Sequence, residues 1–218
     1  MLGVGNPTTH KAIAVHDKTV EQHPFAPILP PHATAVMMGT MPPTADKWCM
    51  AFHYPNFYND MWRIYGKVFF DNVDYFRIGD EKRFDANKIQ AFLMQKGIGE
   101  LPTVTCVIRE KGNASDAHLT VIDRVDLASA LVKLPKVKWL FTIGGKATDV
   151  LIDVINEHLS QNQQKPVKSP KTNQMLTLEI FGRNLTVYRL PSSSRAYPMS
   201  FDKKVEAYRR FFKLAELI

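Results

Sequence analysis

The 218 residues carry 28 Lys and Arg against 21 Asp and Glu, a formal charge of +7, and 45% of them are hydrophobic. This is ordinary globular composition with chain enough for one buried core. It holds no apolar run near the roughly 20 residues of a membrane span. Its two cysteines are too few to ligate an iron–sulfur cluster, and its charge leans toward polyanions.

The stretch "MLGVGNPTTHKAIAVHDK" is too polar for a secretory signal. Residues 1–22 show no periodicity and are expected to be poorly ordered, followed by a single domain over 23–218. Cys49 and Cys106 suit reduced thiols in a cytoplasmic protein. Pro24, Pro27, Pro30 and Pro31 exclude a regular helix over 23–33, so this stretch reads as an extended arm across the domain.

Four short apolar runs follow, each ending in a distinctive loop. "ATAVMM" leads into "GTMPPTADKW", "LPTVTCVI" into "REKGNASDAH", "VKWLFTI" into "GGKAT", and "LTVYRL" into "PSSSRAYP". Consecutive apolar residues fit strands buried on both faces. Helical patterns lie between them. Met61, Trp62, Tyr65, Val68 and Phe69 share one face, with Asn59 or Asp60 as the cap. Further helices are expected over 86–96, 125–133 and 146–159. A last one carries Phe201, Val205, Tyr208, Phe212 and Ala215 on its apolar stripe, with Lys203, Lys204, Arg209, Arg210 and Lys213 largely off it. Residues 175–190 read as a hairpin turning at "FGRN", and 160–174 as a mobile loop. The alternation predicts a three-layer α/β/α sandwich around a mainly parallel four-stranded sheet, with the hairpin as an addition. Ligands bind such sheets beyond the carboxyl ends of the strands, where the four loops converge.

Each loop has two readings. "GGKAT" is a tight strand-to-helix turn, or its helix amides and Lys146 receive a phosphate; the phosphate-loop spacing is absent. Cys106 sits mid-strand and behaves as a small hydrophobe, or serves as the nucleophile of a small-molecule hydrolase. His53, His118 and His158 lack metal-ligand spacing, so no metal is expected. "PSSSR" is a capping turn, or a loop whose Ser192, Ser193, Ser194 and Arg195 meet DNA phosphates. Phe52 packs in the core or stacks on a base. Asn59 caps a helix or reads a base edge.

Taken in order, these loops resemble the uracil-DNA glycosylase superfamily, and most of all its hypoxanthine-DNA-glycosylase-like branch with related bacterial members. "GTMPP" (39–43) matches a G-S/T-x-P-G pattern. Phe52, "HYP" and "NDMW" (59–62) match an aromatic and a His-Pro-x-Asn-x-Phe-Trp stretch. "REKGNASD" (109–116), "GGKA" and "PSSS" (191–194) match the remaining segments, so the resemblance spans about residues 23–212. It implies a monofunctional glycosylase that hydrolyses the N-glycosidic bond of a deaminated base, uracil or hypoxanthine, in base excision repair and needs no cofactor. Its partner would be DNA carrying a damaged or mismatched base, and the protein a monomer. Asn59 and Thr40 would be catalytic, Gly39, Met41 and Phe52 would hold the base, and Lys146 and Ser192–Arg195 would hold the strand. Met41 stands where efficient uracil-cleaving members place Asp, Glu or Asn, Pro43 replaces a glycine, and two extra residues separate Pro55 from Asn59. The water-positioning group is then to be sought in Asn59, Asp116 or Asp46. The alternative on the same fold is a non-catalytic binder of damaged or single-stranded DNA.

Overall fold

The computed structural model describes residues 19–111 and 116–218. The segment read as poorly ordered lies mostly outside them, but its last residues form a strand, β1 (Val20–Gln22). The proline-rich arm then runs extended to β2 (Ala35–Met38), a strand buried at every position. Two helices follow, α1 (Met61–Phe70) and α2 (Ala86–Lys96), then β3 (Ile98–Glu100), β4 (Val104–Arg109) and β5 (Leu119–Arg124). The short helix α3 (Leu127–Val132) leads to β6 (Trp139–Ile143) and the long helix α4 (Gly145–Gln161). The chain closes with β7 (Met175–Ile180), β8 (Arg183–Leu190) and α5 (Phe201–Leu214).

The central sheet is five-stranded and mixed, in the order β3-β2-β6-β8-β7. β3, β2, β6 and β8 run parallel, and β7 adds antiparallel to β8. The hairpin turns where expected: Phe181 (φ 51) and Gly182 (φ 72) both take positive φ, as a two-residue turn matched to strand twist requires. Pleating sends alternate residues to opposite layers. Met37, Phe141, Tyr188 and Leu190 face the aromatic core under α1, α2 and α5, with Trp62, Tyr65, Phe92, Phe211 and Phe212. Val36, Met38, Leu140 and Val187 face an aliphatic core with Leu131, Leu151 and Ile155. Helices therefore cover both faces.

One strand expected in the central sheet is elsewhere. The run "LPTVTCVI" supplies β4, which pairs antiparallel with β1 and β5 in a separate three-stranded sheet. Only one side of β4 is covered, with Val104 and Val107 buried and Thr105 exposed, the pattern of a strand with one solvated face. The edge place in the central sheet goes to β3, three residues long and too short to stand out by pattern.

Caps set the helix ends. Asp85 Oδ1 accepts from Lys88 N at 3.0 Å, and Gly97 (φ 66) ends α2 in the left-handed conformation. At α1, Asn59 Oδ1 accepts from Met61 N at 2.9 Å. Asp60 occupies the cap position without capping, because its carboxylate is engaged elsewhere. The 160–174 stretch is pinned at Val167, which exchanges two hydrogen bonds with the Asn156 side chain.

Candidate active site

The loops after β2 and β8, the segment before α1, the arm and Asp116 enclose a cavity of about 250 Å³ at the carboxyl end of the parallel strands. Of the residues singled out by sequence, Gly39, Thr40, Met41, Asn59, Ser192, Ser193, Ser194 and Arg195 line it.

The 39–43 loop is held from several sides. Gly39 O accepts from both the backbone N and the hydroxyl of Thr103, at 2.8 and 2.9 Å. Pro42 O accepts from the Arg109 guanidinium, and Pro43 O from Trp48 Nε1 at 2.7 Å. Glycine at 39 is required by a close approach: a Cβ there would stand 2.6 Å from Tyr54 Oη. Thr40 Oγ1 donates to Asp116 Oδ1 at 2.7 Å. Burial pushes the Asp116 carboxyl above its ordinary pKa, against the Thr40 hydrogen bond and the Lys146 charge. Met41 is 8% exposed and packs with Val104, Val107, Leu119 and Val150, so it closes the wall as an apolar group. Residues 113–115 of "NASD" lie outside the described residues.

The arm supplies two rings that sequence reasoning missed. Phe25 and His23 both line the cavity. Phe25 packs 4.8 Å from Trp48 and 5.4 Å from His53 between ring centroids. Burial and the neighbouring His53 pull His23 down to about 4, so it is neutral at pH 7. Phe52, expected to stack on a base, does not reach the cavity. It packs in the aromatic core 6.1 Å from Trp62, because the chain turns at Tyr54 (φ 51) and sends Phe52 inward.

Behind the rings lies a buried acid–base pair. His53 Nδ1 is 3.2 Å from Glu100 Oε1, both side chains almost fully buried, and His53 Nε2 donates to Ala26 O at 3.0 Å. With Nε2 donating, a proton must sit between Nδ1 and Oε1. Burial raises the Glu100 carboxyl against the pull of His53. Burial likewise opposes charge on His53, but Glu100 and the hydrogen bond to Ala26 O together raise its pKa. Glu100 Oε2 and Tyr54 Oη are buried with no hydrogen-bond partner among the described residues, and both residues line the cavity.

The loop after β8 is braced rather than free. Ser193, expected at a DNA strand, is 1% exposed, and its carbonyl accepts from Asp60 N at 3.0 Å. Asp60 accepts from Arg195 Nε at 2.8 Å and from Lys204 Nζ at 3.1 Å, and Lys204 Nζ also donates to Ser194 O at 2.8 Å. Lys204, read on the polar side of the last helix, is therefore buried at 1% exposure. Its position three after Phe201 and four before Tyr208 was the available signal. Arg195 remains half exposed, with its guanidinium 5.6 Å from the exposed Tyr58 ring. Lys146 is half-buried and does not line the cavity, though its charge acts on Asp116. Cys106 also lies outside it, and both cysteines are free thiols.

Among the described residues no cluster of three His, Cys, Asp or Glu could hold a metal ion, and no helix is long and apolar enough to cross a membrane. No family model and no curated protein sequence matches the chain. A solution NMR structure from Methanosarcina acetivorans, of a protein provisionally described as a uracil DNA glycosylase, aligns with a TM-score of 0.60. The alignment covers 91% of this chain and 99% of that one, at 17% identity. The two chains share a fold.

Proposed function

We propose that the protein is a monofunctional DNA glycosylase that hydrolyses the N-glycosidic bond of a deaminated base, uracil or hypoxanthine. The observation that carries this reading is the Thr40–Asp116 pair opening into a cavity that also presents Phe25 and Asn59. The fold shared with a provisionally described uracil DNA glycosylase supports it.

The chemistry follows from the side chains. A base must leave the stack to enter such a cavity, and Phe25 offers it a ring face. The bond from the base to C1′ breaks toward an oxocarbenium-like sugar and an anionic base. Asn59 uses its Oδ1 on Met61 N, which leaves Nδ2 to donate to the departing base and stabilise its charge. Asp116 Oδ1 is occupied by Thr40, and Oδ2 takes a proton from the water that attacks C1′. The anionic base takes up a proton as Asp116 gives its own back to solvent, so the products are the free base and an abasic sugar, and no cofactor enters the balance. Arg195, Tyr58 and the net positive charge suit the flanking strand.

Incubation with oligonucleotides carrying uracil, hypoxanthine, xanthine or mismatched thymine, followed by alkali, reveals any abasic sites. Release of a deaminated base that falls at least a hundredfold in Asn59→Ala is expected. Salt-sensitive DNA binding without release of any base would instead make the protein a non-catalytic reader.

The two phenylalanines separate in a paired test. Phe25→Ala should weaken binding to a base-containing strand by about 1–3 kcal/mol, the worth of one stacked base, with little change in melting temperature. Phe52→Ala should destabilise the fold by about 3–5 kcal/mol, as for any large core truncation. Equal effects of the two on melting temperature would remove the stacking role from Phe25.

A further inference from the structure

A second cleft, of about 400 Å³, is lined by Arg63, Val73, Arg195, Met199 and Phe201, together with the buried Asp60 and Lys204. The proposed mechanism leaves it unused. Arg195 lines both this cleft and the candidate active site, so the two adjoin.

The charges of the cleft do not balance. The Asp60 carboxylate is shared between Arg195 and Lys204, and Asp74 stands 4.0 Å from Arg77. Arg63 is left without an ion pair among the described residues. It donates from Nη1 to Phe57 O, and its guanidinium lies 4.2 Å from the centre of the Phe57 ring, a packing that holds the charge in place. Burial first and the neighbouring Arg195 second lower the pKa of Arg63, against the pull of Asp60 and Asp74. Both α1, capped at Asp60, and α5, starting at Phe201, begin at the cleft, so their positive ends add charge of the same sign. An anion bound there would supply the missing partner.

The remaining lining is apolar. Val73 is 36% exposed, and Met199 and Phe201 are partly buried. Unpaired cations beside an apolar wall that includes a ring complement an anion that carries a flat apolar body. At the shared Arg195 the same character continues. The exposed Tyr58 ring lies 5.6 Å from the Arg195 guanidinium and 5.9 Å from Lys82 Nζ, and Tyr58 also lines the first cavity.

We propose that this cleft is a second nucleotide subsite, which takes the neighbour of the extracted nucleotide, its phosphate on Arg63 and Arg195 and its base against Phe201, Met199 and Val73. The proposal rests on reading the first cavity as the base pocket of a DNA glycosylase. It makes the substrate a strand of at least two nucleotides. A free nucleotide shares the chemistry of the neighbour, and the test separates the two sources.

The test measures binding to single strands that carry one 2′-fluoro-deoxyuridine, which resists hydrolysis, and changes only its neighbours. Removing a neighbour's base with a tetrahydrofuran residue should weaken binding to the wild type by about fivefold or more on one side of the uridine, the low end of one stacked base, and by less than about twofold on the other. An uncharged methylphosphonate linkage should act on the same side. Val73→Glu sets a carboxylate at a partly exposed position of the cleft and should change the melting temperature little. It should bind the unmodified strand about tenfold more weakly, since it opposes the phosphate, and lose the dependence on the neighbour. Arg63→Gln should do the same, but Arg63 also packs on Phe57, so Val73→Glu is the deciding variant. A wild type indifferent to both replacements on either side, or a folded Val73→Glu that keeps the wild-type affinity and dependence, overturns the proposal. Thymidine monophosphate that competes as well as a thymidine dinucleotide would assign the cleft to a free nucleotide and overturn it too. Base release from natural strands is scored separately. Release without dependence on the neighbour removes the subsite alone, whereas dependence on the neighbour without release removes the glycosylase reading alone.

Discussion

Asp116→Asn should lower the rate of base release by about 10²–10⁴, the usual worth of a positioned general base. The substitution keeps the shape of the side chain and an oxygen for Thr40, so folding and strand binding should change little. The pH profile carries the same information. Only the ionised carboxylate can take a proton from water. Burial raises the Asp116 carboxyl above its ordinary 3.8, so activity should rise as pH climbs through that elevated value and then level off. In Asp116→Asn the acid limb should disappear, leaving a flat residual rate. Thr40→Ala should reduce the rate less and move the acid limb to higher pH, because its hydrogen bond opposes the upward push of burial. An Asp116→Asn variant with wild-type turnover would return this residue to a plain turn role and move the search for the water-positioning group to Asn59.

Asp60→Ala should destabilise the fold by about 3–5 kcal/mol, because it strands the Lys204 ammonium in the interior without its partner. For a chain of this size that is a fall in melting temperature of roughly 6–20 °C. The same change releases Arg195 and unpins the 192–195 loop, so binding to a strand should weaken as well. A second substitution isolates the cause. Lys204→Met removes the orphaned charge and fills the site with apolar volume, so Asp60→Ala with Lys204→Met should recover much of the lost stability. If the double variant melts no higher than Asp60→Ala alone, then cavity formation and loss of the Arg195 pair are responsible, and the buried charge is not.

The shape of the sheet was largely legible along the chain. Strands 35–38, 139–143 and 185–190 are buried on both faces, so their apolar residues run consecutively and announce themselves. The helices over 86–96 and after Gly144, and the turn at Phe181 and Gly182, follow from caps and backbone preferences that act over a few residues. The misplacement of 104–109 has the opposite origin. Whether a strand joins the central sheet or a neighbouring one depends on which edge its backbone meets, and β4 is claimed by Leu119–Arg124, the next strand along the chain, and by the distant Val20–Gln22.

The site divides in the same way. Of the four loops expected at the carboxyl end of the parallel strands, those after β2 and β8 line the cavity, because strand direction and alternation with helices leave them little choice; the loop after β4 reaches it through Asp116 from another sheet, and Lys146 after β6 stays outside. The sequence by itself also placed Gly39, Thr40, Asn59 and Arg195 among the lining residues. It could not separate Phe52 from Phe25, since which ring faces a cavity depends on the turn at Tyr54 and on an arm some thirty residues upstream. Glu100 and His53 stand in separate segments of the sequence, with Tyr54 next to His53. Only the tertiary structure decided that the first two share a proton, and that one oxygen of Glu100 and the hydroxyl of Tyr54 are left buried without partners. Hydrogen bonding acts over about 3 Å, and sequence separation carries no information about which side chains come that close.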